Sequence, residues 1–134
     1  MGAWGVGPFD NDDAMDLIGD LEESSDASAV LASAMDALIN AEGYAEASDV
    51  SVAVAAAVLV AARHAGLDPG SSTVADWLSG DPFAATPQLR EVARRALQRA
   101  SHETDNELYA LWVEAGEQDI YRSALAPYQD ALSR

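Results

Sequence analysis

From Val50 to Ala62 the chain reads Val-Ser-Val-Ala-Val-Ala-Ala-Ala-Val-Leu-Val-Ala-Ala, thirteen positions of which only Ser51 is polar. Alanine loses no side-chain entropy in a helix, so this composition favours one. A helix that is apolar around its whole circumference is buried on most sides. At about 1.5 Å per residue the stretch also falls short of a bilayer. It predicts the central helix of a soluble all-α domain. Ser48 or Asp49 would cap it, Arg63 and His64 occupy its last turn, and Gly66 stands at the expected C′ position.

The flanking segments repeat the helical period. Ala14, Leu17, Ile18 and Leu21 recur at i, i+3, i+4, i+7 and predict a helix over about Asp12–Leu21, capped by Asp10 or Asn11. Asp26 would cap a second helix running to about Ala41, with Val30, Leu31, Ala34, Met35, Leu38 and Ile39 inward. After the turn Asp68-Pro69-Gly70, a short helix over Thr73–Ser79 offers Val74, Trp77 and Leu78. Thr86-Pro87 opens a helix to Ala100 whose apolar side is Leu89, Val92, Ala93, Ala96, Leu97 and Ala100. Its polar side carries Arg90, Arg94, Arg95 and Arg99. Thr104 with Glu107 has capping-box spacing, ahead of a helix burying Leu108, Leu111, Trp112 and Ala115 and ending at Gly116. A last helix, about Gln118–Leu132, would pack Ile120, Ala124, Leu125, Tyr128 and Leu132, with Pro127 kinking or splitting it near Ala126.

Strand-period alternation, internal repeats and linkers are absent from the sequence. The expected fold is all-α: an irregular orthogonal bundle of about six or seven short helices around a buried Ala/Val-rich central helix, with residues 1–134 as a single helical domain.

Charge changes the functional picture more than the structural one. The chain has 23 acidic residues, seven arginines and no lysine, for a net charge of −16. Such a field disfavours nucleic-acid phosphates and anionic membranes, so neither is an expected partner, whereas a basic protein is. Cysteine is absent, which removes disulfides and thiolate chemistry. The segment Met1-Gly2-Ala3-Trp4 has no basic and apolar leader pattern, so a cytoplasmic location is expected.

Candidate chemistry is sparse. Asp10-Asn11-Asp12-Asp13, with Asp16 beyond, offers oxygens to a cation, but an EF-hand loop numbered from Asp10 would need Gly at Met15 and Glu at Leu21. His102-Glu103 begins a zincin pattern that fails at Asn106. Neither a nucleophile-elbow serine nor a phosphate-cradling glycine loop occurs. No metal site, cofactor or catalytic residue is therefore expected. The arginine side of the Thr86–Ala100 helix could hold a phosphate or an acidic partner, but with 23 carboxylates in the chain it is expected to pair within the chain.

Two stretches carry a resemblance. Trp4-Gly5-Val6-Gly7-Pro8-Phe9-Asp10-Asn11-Asp12-Asp13-Ala14, with Asp16 following, resembles the opening of the bacterial domain of unknown function 4259 family. Asn106-Glu107-Leu108-Tyr109-Ala110-Leu111-Trp112 resembles that family's Ser-Glu-Leu-x-x-Leu-Trp segment, with Asn106 in place of Ser. Val58 stands where a mid-helix Glu is common, and Tyr121 about where a Trp is expected. The resemblance implies a small helical domain and no established activity.

The leading functional expectation is a non-enzymatic acidic interaction protein that binds a basic partner, like an immunity protein or a nucleic-acid mimic. The alternative is a ligand- or metal-binding domain or enzyme. Its pocket would be formed by the N-terminal loop (Trp4, Phe9, Asn11, Asp12, Asp13) and the helix bearing Glu107 and Trp112.

Overall fold

Small side chains on every face of one helix let its neighbours approach closely from all directions. In the computed structural model, which describes residues 5–133, seven helices form. They are α1 (Asp12–Glu23), α2 (Ala27–Ile39), α3 (Ala47–Ala65), α4 (Ser72–Leu78), α5 (Pro87–Ala100), α6 (Glu107–Ala115) and α7 (Gln118–Leu132). Five of them, α1, α2, α5, α6 and α7, pack on α3, most extensively α5 and α2. No strand forms among the described residues; a single parallel bridge joins Ala45 to Asn106. The fold is an all-α bundle around its central helix, as the sequence predicts.

α3 is longer than the apolar run alone indicates, at 19 residues, of which twelve are buried. By length and composition it could cross a membrane, so shortness is not what distinguishes it; the helices packed along it are. It begins at Ala47, so Ser48 and Asp49 lie inside it and do not cap it. At the other end Gly66 turns left-handed at φ 68°, and the Gly66 and Leu67 N–H groups both donate to the Ala62 carbonyl, at 2.8 and 3.2 Å.

The caps of five other helices form from side chains, that of α6 from Asn106. Asn11 accepts from Ala14 N, Asp26 from Ala29 N, Ser71 from Val74 N and Thr86 from Leu89 N. Three packing expectations need correction. α6 buries Tyr109, with Leu108 and Trp112 half-buried, while Leu111 and Ala115 face solvent. α7 buries Tyr121, and Ile120 beside it is 55% exposed. Both changes follow from one contact: the Tyr109 and Tyr121 rings meet edge to face at 6.1 Å, and Tyr121 Oη donates to the Ala100 carbonyl at 2.9 Å. Pro127 does not split α7, which continues through it. It lies on the exposed side, where the carbonyl left without its N–H partner can turn to water.

Val58 is fully buried at mid-helix. A Val58→Glu variant must bury a carboxyl, whose pKa rises because the charged form is desolvated. A raised acid pKa makes the protonated, less costly form available at lower pH. The variant should lose about 3 kcal/mol or more at pH 8 and recover part of that by pH 5, measured by urea unfolding at both pH values. Equal stability to the parent at pH 8 would mean that α3 is not packed as described.

Candidate functional site

The N-terminal loop is built around one carboxylate. Asp10 Oδ2 accepts from Gly7 N at 3.2 Å, and Asp10 N donates back to the Gly7 carbonyl at 3.0 Å. A Cβ on Gly5 or Gly7 would stand 2.7 or 2.5 Å from that Oδ2. Close approach, not a positive φ, is the reason for glycine at both positions. Asn11 then caps α1 through Oδ1 at 2.8 Å, and Phe9 is buried in the core. Asp12 is exposed and Asp13 half-exposed in the first turn of α1, where negative charge complements the helix dipole. Trp4 lies outside the described residues. No group of three or more potential metal ligands gathers among the described residues.

The loop does meet α6. Gly5, Gly7, Pro8 and Asn11 face Leu108 and Trp112 across a crevice of about 20 Å³, floored by Ser51, Val54 and Tyr121. That is room for about one water molecule. Burial keeps the Tyr121 hydroxyl protonated well above the ordinary tyrosine range, and it is turned to the Ala100 carbonyl. Of the candidate residues, Asn11 and Trp112 line the crevice; Glu107, Asp12 and Asp13 do not.

Glu107 instead reaches across the chain. Its Oε1 accepts from Ala47 N at 2.8 Å and so caps α3, the helix whose own N-cap residue Glu46 makes no side-chain cap. The backbone locks the same seam, with Ala45 N donating to the Asp105 carbonyl at 2.8 Å and Glu107 N to the Ala45 carbonyl at 2.9 Å. The Thr104–Glu107 capping box is therefore not formed. The cap of α6 is Asn106, only 1% exposed, whose Oδ1 accepts from Tyr109 N at 3.0 Å. Its Nδ2 donates to the carbonyls of Ala100 at 2.9 Å and His102 at 3.0 Å. A serine there could supply the cap but not the paired donors that tie α6 to the end of α5.

The arginine side of α5 also departs from expectation. Only Arg94 pairs with a carboxylate, that of Glu91 one turn back, which holds the Glu91 carboxyl below its usual range. Arg90 Nη1 lies 3.2 Å from His64 Nδ1. Arg99 donates to three backbone carbonyls, those of Asp105 at 2.7 Å, Thr104 at 3.1 Å and Gly43 at 3.3 Å. The one other ion pair among the described residues is Arg63–Asp81, at 2.9 Å. Intramolecular pairing with acids thus accounts for one arginine of the four, and Arg99 is taken up by main-chain carbonyls instead.

The family model for a domain of unknown function, DUF4259, matches residues 2–124. The chain belongs to the DUF4259 family. No curated protein and no solved structure matches the chain. In this DUF4259 domain both motif stretches serve architecture first: the opening loop closes on Asp10, and Glu107 caps the central helix.

Substitutions at Glu107 and at Gly7 separate these roles. Glu107→Ala should cost about 1–2 kcal/mol, while Glu107→Gln, which keeps an acceptor for Ala47 N, should cost clearly less, both read from urea midpoints. Gly7→Ala should destabilise the parent, yet do so by about 1 kcal/mol less in an Asp10→Ala background, where the crowding carboxylate is gone. Strict additivity of the pair would dissociate the glycine from Asp10.

Proposed function

We propose that this DUF4259 protein is a non-enzymatic cytoplasmic module whose acidic surface receives a basic protein partner, as an immunity protein or nucleic-acid mimic does. The observation that carries this reading is α1. It holds six acidic residues and no basic one, and Asp12, Asp16, Asp20 and Glu23 are exposed at i, i+4, i+8, i+11 along one side. None of these four makes an ion pair among the described residues. Twelve residues of helix present that row over about 18 Å. A row of unpaired carboxylates on a rigid helix steers a cationic partner and fixes its register, at a strength that salt weakens. Against an enzyme, Glu107 is committed to the α3 terminus, and the crevice beside Trp112 has room for about one water.

The reading is tested with tagged protein in native lysate at low ionic strength. A basic protein should be retained and then released by about 0.5 M NaCl. Its retention should fall about tenfold or more for Asp16→Asn/Asp20→Asn/Glu23→Gln, because several charge-assisted contacts go together. These three positions are exposed and leave the Asn11 cap intact, so circular dichroism should be unchanged. Absence of any salt-released basic protein, or equal retention by the variant, would sink the proposal.

A further inference from the structure

The cationic side of α5 ends in a recess that the acidic-surface reading does not use. Arg95, Gln98 and Arg99 recur at i, i+3, i+4 on α5, and with His102 just beyond its end and Ile39 of α2 they line an open recess of about 290 Å³. Arg99 is immobilised by its three carbonyl bonds, which fixes a positive charge at the wall. Arg95, exposed, makes no ion pair or hydrogen bond with another described residue, so its five N–H donors are available. His102 Nδ1 accepts from Thr104 N at 3.3 Å, which places the ring proton on Nε2, a further donor. Gln98 adds an exposed amide.

We propose that this recess binds a phosphate monoester, with Arg95, Gln98 and His102 holding the phosphoryl oxygens and Ile39 contacting the carrier group. A phosphoryl group presents three acceptor oxygens and about two negative charges. Three separate donor side chains and a locked guanidinium suit it better than they suit a planar carboxylate. The recess exceeds a bare phosphoryl group, and the half-buried Ile39 is the apolar surface left for what the phosphate is attached to. The chain's net charge of −16 opposes any anion, but at physiological salt the screening length is about 8 Å, so local groups decide. Those are Arg95 and Arg99, with Arg94 and Glu91 paired to each other and Glu103 and Asp105 on the following loop opposing.

Phenyl phosphate and inorganic phosphate are titrated separately into the protein by calorimetry in about 50 mM Hepes with about 0.15 M NaCl, where the screening length is about 8 Å. Phenyl phosphate should bind saturably and tighter than inorganic phosphate. Arg95→Gln should weaken phenyl phosphate about tenfold or more, the effect of a lost charge-assisted donor. Arg90→Gln, at the far end of the same helix, should change it by less than about twofold, since it removes only distant charge. Should Arg95→Gln fail to fold by circular dichroism, Gln98→Glu puts a negative charge into the recess and should weaken binding as much. No saturable binding of either compound overturns the site. So does retention of affinity in both recess variants, or an equal loss in Arg90→Gln. Equal affinity for the two compounds would overturn the role given to Ile39.

Discussion

Burial of α3 on all sides is the constraint on which the rest of the structure depends. Ala55, Ala56, Ala57, Val58, Leu59 and Val60 are all fully buried, so no side of this helix is left to water. At about 25 cal/mol per Å² of apolar surface removed from water, that burial is the main driving force of the fold. It also imposes a cost. A helix ends in N–H and C=O groups that it cannot satisfy itself, and each one shielded by the packing and left unmet is worth about 1–3 kcal/mol.

The polar seam answers that cost. Glu107 supplies the acceptor at the start of α3, and the backbone around Gly66 closes its end. Asn106, Arg99 and Tyr121 do the same for the end of α5 and the loop after it. These groups come from three helices and share neighbouring carbonyls, so the seam fixes how α5, α6 and α7 sit around α3. It also explains why the two motif stretches of the DUF4259 family carry polar residues where function is first sought. The polar atoms of Asp10, Asn11, Asn106 and Glu107 are occupied by the frame.

With those residues committed, what remains for function is the outer surface, and its charge is unevenly distributed. α1 is an acidic row without a basic neighbour on its own helix, whereas α5 carries four of the chain's seven arginines. α1 and α5 both pack on α3. Fields of opposite sign are thus presented by separate elements; among the described residues no ion pair involves α1, and on α5 only Arg94 is paired.

The sequence by itself determined the all-α class, the central helix, the α1 and α5 apolar faces, and the caps Asp26 and Thr86, because each depends on periodicity or chemistry within one or two turns; it left the α1 cap between Asp10 and Asn11. The family, too, was legible in two short stretches. Only the tertiary structure decided that Glu107 serves Ala47, sixty residues away, and that α6 turns Tyr109 inward rather than Leu111. It also decided that the arginines of α5 bind carbonyls and a histidine more than carboxylates. Each of these outcomes rests on which helix ends meet, and local pattern carries no information about that. A capping box and a cap for a distant helix use the same glutamate; the choice falls to whichever N–H the packing brings within hydrogen-bonding reach.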